Sequence, residues 1–172
     1  METSSVLPLV IIGSARKHGT TYAVTNAILQ GIEVEILDLA NYSILPYSYD
    51  GNYGEDDFMH IAGQMLRHDT IIFATPVYWY AMSGIMKTFF DRLTDLVTIQ
   101  KQLGRQLKGK NFLLIVSGTD KELPEGFEVP FKRSVEYFDA TYNGVLYFRA
   151  KEKYPETHPE EADAFRQKIL SL

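Results

Sequence analysis

The chain has no cysteine in its 172 residues. That absence excludes disulfides, thiolate nucleophiles, Cys-ligated zinc and Cys-ligated iron–sulfur clusters, so any redox chemistry must come from a bound cofactor. Long apolar runs are missing as well, and none approaches the length of a membrane span, so no membrane partner is expected. The amino terminus, Met1-Glu2-Thr3-Ser4-Ser5 followed by the short run Val6 to Ile12, has neither a basic region nor a cleavage-like site. It does not read as a signal peptide, and a cytoplasmic location is the expectation. Histidines are few, and His60, His68 and His158 show no metal-ligand spacing, so no metal site is expected. Nor is there an excess of basic charge: 17 basic residues against 22 acidic give a net charge of -5, which disfavours a nucleic-acid partner. Acidic residues have their own gap. Between Thr3 and Ile32 there is no Asp or Glu, while Arg16, Lys17 and His18 stand together, and an anion would go there.

What is present is ordered. With 45% hydrophobic residues, the chain can bury a core unaided as one domain spanning residues 1–172. Val6 to Ile12 is a continuous apolar run ending at glycine, the pattern of a strand buried on both faces. Thr20 or Thr21 can cap a helix with apolar positions Ala23, Val24, Ala27 and Ile28, which Gly31 ends. Glu33 to Leu39 reads as a second strand and Asp57 to Arg67 as a helix. Asp69 to Thr75 is a third strand, terminated by Pro76. A helix over Ser83 to Asp95 precedes a strand over Asn111 to Val116 that runs into Ser117-Gly118. Val129 to Asp139 reads as a helix, Tyr142 to Arg149 as a strand and Pro159 to Leu172 as a closing helix. Five strands and five helices in alternation imply a parallel sheet with helices on both faces. Five strands without an inserted domain point to a flavodoxin-like three-layer α/β sandwich of strand order 2-1-3-4-5, with ligands outside the strands' carboxyl ends.

Two constellations carry chemistry. The loop after the first strand offers the hydroxyls of Ser14, Thr20 and Thr21, the cations of Arg16 and Lys17, a flexible Gly19 and the N–H groups of a helix start, all suited to phosphate. It is not a Walker A loop, since no Gly-Lys-Ser/Thr follows, and Gly13 has no partner for a dinucleotide fingerprint. A polar turn with an ordinary helix cap is the alternative. His18 could bind phosphate or face water. The second constellation, Thr75-Pro76-Val77-Tyr78-Trp79-Tyr80-Ala81-Met82-Ser83-Gly84, opens from a strand into a bulky aromatic loop. A planar heteroaromatic ring would find flat faces and backbone N–H groups there; core or interface packing is the alternative. Lys87, Asp91 and Arg92 read as the polar face of a helix with intrahelical ion pairs, and Glu55-Asp56-Asp57 as charge at a helix N-terminus. Tyrosines 42, 47, 49 and 53 lie in a long loop that substrate contact, interface packing or disorder would each explain.

The loop Gly13-Ser14-Ala15-Arg16 through Thr21, with Thr75-Pro76-Val77-Tyr78-Trp79 through Met82-Ser83-Gly84, Lys87 and Asp91-Arg92, resembles the NADPH-dependent FMN reductase family, related quinone and azo-dye reductases included. The likeness extends over most of the chain and includes Leu45-Pro46-Tyr47. The resemblance implies FMN held non-covalently, its phosphate on Ser14, Arg16, Thr20 and Thr21 beside Gly19, and its ring beside Pro76, Val77, Tyr78 and Trp79. Ser117, Gly118 and Thr119 would border the other side of the ring. It implies NAD(P)H as co-substrate, a small electron acceptor such as a quinone, azo compound or flavin, and a homodimer to which the Tyr-rich stretch 40–54 could contribute. No catalytic side chain is assigned, because the flavin carries the hydride chemistry. A flavodoxin-type electron carrier and a cofactor-free binding domain are the rival readings; the Arg16-Lys17 pair and the modest net charge favour the reductase.

Overall fold

The computed structural model describes residues 6–154 and 156–172. The reading of residues 1–5 as lacking a signal peptide therefore lies outside the described residues. Among the described residues, no helix is long and apolar enough to cross a membrane.

The strands are β1 (Leu9–Ile12), β2 (Glu35–Asp38), β3 (Thr70–Tyr78), β4 (Ala81–Met82), β5 (Asn111–Gly118) and β6 (Thr141–Arg149). The helices are α1 (Thr20–Ile28), α2 (Phe58–Arg67), α3 (Gly84–Arg92), α4 (Lys101–Gly104), α5 (Val129–Tyr137) and α6 (Pro159–Leu170). Five strands run parallel in the order β2-β1-β3-β5-β6, and the two-residue β4 folds back antiparallel on the end of β3. Leaving β4 aside, this is the 2-1-3-4-5 order read from the alternation of elements.

Parallel strands covered on both faces are apolar through their middles, as β1, β3 and β5 are, while the edge strands β2 and β6 carry Glu35, Asp38, Thr141, Asn143 and Arg149. The period of two sends alternate residues to opposite sides. Leu9, Ile11, Ile71, Phe73, Phe112, Leu114 and Val116 face α2, α3 and α5, where Phe58, Phe89 and Phe131 complete an aromatic layer. Val10, Ile12, Ile72, Ala74, Leu113 and Ile115 face α1 and α6, meeting Val24, Ile28, Phe165 and Ile169.

Three expectations are corrected. The first strand pairs only from Leu9 onward, and Val6 and Leu7 are exposed. The third strand is not terminated by Pro76 but continues to Tyr78. Ala74 turns its carbonyl toward β1, accepting from Gly13 N–H at 2.8 Å, so by alternation Pro76 faces the same edge, past the end of β1. The next carbonyl on that edge, Gly13 O, takes its hydrogen bond from Ser83 Oγ instead, so the missing proline N–H leaves no acceptor unpaired and the strand tolerates it. The helix expected to Asp95 ends at Arg92 and tightens into a 3-10 turn over Leu93–Leu96.

Candidate active site

Gly13 leaves β1 by extending its ladder to Ala74, and its carbonyl accepts from the buried Ser83 Oγ at 2.6 Å. Ser83 also caps α3, its Oγ accepting from Met86 N–H at 3.1 Å, while its own N–H donates to Thr75 Oγ1 at 3.2 Å. One serine thus joins the loop after β1, the end of β3 and the start of α3. Gly13 permits this closeness, since a Cβ there would lie 2.8 Å from the Met86 side chain. Gly13, Thr75 and Ser83 belong to the two constellations singled out in the sequence but carry no individual role there, although Ser83-Gly84 ahead of an amphipathic run is a readable cap signal.

The loop then turns through His18, whose φ of 53° is left-handed, and enters α1 at Gly19. The expectation that Thr20 or Thr21 caps this helix is corrected: Gly19 is the cap, and among the described residues no side chain closes the N-terminus. Thr21 points elsewhere, its hydroxyl 2.7 Å from Ser117 Oγ in a buried bond that ties α1 to the end of β5. The first intrahelical bond runs from Ala23 N–H to Gly19 O, so the N–H groups of the first turn remain open to an anion.

These elements enclose a cleft of about 250 Å³ at the carboxyl ends of β1, β3 and β5. Ser14, Arg16, Gly19, Thr20 and Thr21 line one end; Pro76, Val77, Tyr78, Ser117 and Gly118 line the other; Thr119 and Ala150 complete it. Ten of the eleven residues singled out in the sequence meet here. Trp79 does not line the cleft and is 93% exposed. Trp79 and Tyr80 are the two central residues of the hairpin joining Val77-Tyr78 to Ala81-Met82, with φ of 50° and 63°. Ala150 has no functional side chain to mark it in the sequence; its N–H donates to Gly118 O at 2.7 Å and brings it to the rim.

Gly118 is held in the cleft wall by crowding, since a Cβ would lie 2.6 Å from the Tyr147 hydroxyl and 3.1 Å from Val77 Cγ2. Tyr147 donates to Asp120 O at 2.9 Å, and burial together with the nearby Asp120 charge raises its pKa, keeping the phenol protonated.

The acidic and tyrosine-rich residues before α2 serve a different purpose from the one expected. Arg92 is not on a polar helix face; its side chain is 2% exposed and meets Asp56, Asp95 at 2.9 Å and Leu45 O at 3.0 Å. Tyr53 stacks on its guanidinium at 3.4 Å and donates to Asp95 at 3.3 Å. Asp56 is thus a buried ion-pair partner rather than mere helix-terminal charge. Burial disfavours its ionisation, but Arg92 and the N–H groups of Leu45 and Phe58 outweigh that and hold its pKa below the ordinary value. Lys87 and Asp91 do form the expected exposed i,i+4 pair, at 2.5 Å. Among the described residues no cluster of His, Asp or Glu could hold a metal ion.

The cleft is amphipathic along its length, with hydroxyls, a guanidinium and an open helix start at one end and proline, valine, tyrosine and glycine at the other. That matches a phosphate joined to a flat ring, in a flavodoxin-like α/β protein whose ligand side is the carboxyl edge of its sheet. The sequence profile of the NADPH-dependent FMN reductase family matches residues 8–126, taking in the loop after β1, the β3–β4 hairpin and Ser117-Gly118-Thr119. The chain belongs to that family and is an oxidoreductase that works with FMN and a reduced nicotinamide. It is 28% identical over 147 residues, 80% of this chain and 81% of the other, to YwqN of Bacillus subtilis, a protein named as an NAD(P)H-dependent FMN-containing oxidoreductase. The fold is similar to that of the Trp repressor binding protein of Bacillus subtilis, with a TM-score of 0.71 at 22% identity over 93% of this chain and 98% of that one. It is also similar to general stress protein 14 of Treponema denticola, solved in complex with FMN, with a TM-score of 0.69 at 17% identity over 96% and 99% of the two chains.

Proposed function

We propose that the cleft holds FMN with its phosphate on Ser14, Arg16, Gly19, Thr20 and Thr21 and its ring against Pro76, Val77, Tyr78, Ser117 and Gly118, with Trp79 at the rim. The observation that carries this reading is the open N-terminus of α1 beside the Arg16 guanidinium, unpaired among the described residues, and the hydroxyls of Ser14 and Thr20, a few residues' width from an apolar slot. When bound, FMN supplies the two-electron chemistry that moves hydride equivalents from NAD(P)H to the acceptor. The protein holds the phosphate by charge-assisted hydrogen bonds and aims backbone N–H groups around Tyr78 and Ser117-Gly118 at the ring edge that gathers charge. No side chain of the cleft needs to move a proton for the first half of the cycle.

The acceptor we propose is a small planar molecule: a quinone, an azo compound or a second flavin. The cleft of one chain is small, about 250 Å³, and the aromatic tip formed by Trp79 and Tyr80 stands in solvent, 93% and 68% exposed. Both features support a homodimer in which a second copy shelters the tip. We also read residues 1–172 as one flavin-binding domain acting in the cytoplasm. The test is a visible absorption spectrum of the purified protein with and without added FMN, followed by NADPH oxidation with a quinone present. Bound-flavin bands and steady turnover are expected. No flavin bands after reconstitution would overturn the site, whereas flavin without turnover would make the protein an electron carrier.

A further inference from the structure

A second and larger cavity opens behind the phosphate end of the cleft. Its volume is about 660 Å³, within the range of small-ligand pockets. It shares Arg16, Gly19, Thr20 and Ala150 with the flavin cleft, so the two are separated only by the turn at the start of α1. No side chain caps that turn and Gly19 adds none, so the open N–H groups of α1 lie between the two spaces. Ala23, Val24 and Phe148 form an apolar floor, while Arg16, His18 and Lys153 supply a nitrogen-rich rim. Glu152, on the same rim, is engaged by His158 at 2.9 Å and by Arg149 at 3.8 Å. Among the described residues neither Arg16 nor Lys153 makes an ion pair. Glu156 is the opposing charge that remains.

From this continuity we infer a second nucleotide subsite that takes an adenosine 5′-phosphate joined to the flavin phosphate, so that the chain accepts flavin adenine dinucleotide as well as FMN. The inference rests on the flavin site proposed above. The phosphate in the cleft keeps its contacts with Ser14, Thr20 and the helix start, and one of its oxygens becomes the bridge that passes Gly19. The second phosphate then lies between Arg16, which lines both spaces and serves both phosphates, and Lys153, a cation that the monophosphate alone does not need. The adenine lies over Ala23, the exposed apolar position of this floor, while Val24 and Phe148 beneath it are already buried.

The experiment titrates flavin-free protein with FMN and with FAD, following binding by calorimetry and by the visible circular dichroism of the flavin. FAD is expected to bind with a Kd within tenfold of that of FMN. Ala23→Trp fills the outer cavity from an exposed helix position and is expected to weaken FAD at least tenfold while changing FMN less than twofold. Lys153→Glu, chosen to leave the fold and the inner cleft untouched, is expected to weaken FAD alone by several-fold. FMN binding without FAD binding overturns the subsite and leaves the flavin site standing. FAD binding that neither substitution alters overturns it equally, because the adenylate then lies elsewhere. Failure of both flavins to bind removes the flavin site itself.

Discussion

Single side chains set the geometry of the cleft, and three of them make sharp tests. Ser83→Ala removes a helix cap and leaves Gly13 O without its donor, so a loss of about 2 kcal/mol in urea unfolding is expected, with weaker FMN binding because the loop loses its post. Gly118→Ala drives a methyl group against the Tyr147 hydroxyl, and a loss of about 1–3 kcal/mol follows from overpacking. Adding Tyr147→Phe takes away the closest atom, and the double variant is expected to recover part of the loss; purely additive effects in the cycle would show that the two do not meet. Arg92→Ala strands Asp56 and Asp95 in the interior at a cost of about 3–5 kcal/mol, which approaches the whole stability of an ordinary domain. The same network shapes the acid limb. Because the pKa of Asp56 is lower folded than unfolded, the unfolded chain binds its proton first as pH falls. The stability it contributes is complete above the ordinary carboxylate pKa of about 3.9 and is lost as pH drops through the lower folded value. In Asp56→Asn, the slope of stability against pH in that window is expected to flatten.

At the scale of elements, the β3–β4 hairpin is the unusual part. A two-residue turn with both central residues at positive φ is the natural site for Asn-Gly, yet here it is Trp79-Tyr80. Bulky residues held in the left-handed region cost about 1–3 kcal/mol each, so the aromatic tip is kept against a local penalty. Trp79→Asn combined with Tyr80→Gly is expected to raise stability by about 1 kcal/mol or more in thermal unfolding. A fall in stability would mean that the aromatic rings already find compensating contacts. This hairpin also shows where sequence reading stops. The alternation of apolar strands and amphipathic helices made the sheet legible, and Thr75 to Gly84 stood out by composition. Yet Pro76 reads as a stop only until the neighbouring strand is known to end two residues earlier. The backbone direction that lifts Trp79 out of the cleft is invisible in a residue list. Arg92 illustrates the same limit: helical spacing places it beside Asp95, but the loop that buries it arrives from more than thirty residues away.

For the molecule as a whole, the cleft and the core form one thermodynamic unit, because Thr21 in the phosphate loop ties α1 to β5 while Gly13 at the start of that loop is tied to Ser83 at the cap of α3. A ligand that binds only the folded chain adds RT ln(1 + [L]/Kd), about 2.7 kcal/mol at a hundred times Kd. For a chain of this length that corresponds to a rise in Tm of about 5–10 °C. FMN is expected to produce this shift, and riboflavin at equal concentration far less. The missing phosphate forfeits at least two charge-assisted hydrogen bonds, about 3 kcal/mol and therefore on the order of a hundredfold in Kd. Arg16→Ala should reduce the FMN shift toward the riboflavin one while leaving the ligand-free Tm unchanged, since Arg16 is exposed and makes no side-chain hydrogen bond or ion pair among the described residues. Equal shifts from riboflavin and FMN would place the phosphate outside the loop, and the ring would then have to be anchored by Pro76, Val77 and Tyr78 with Ser117 and Gly118 alone.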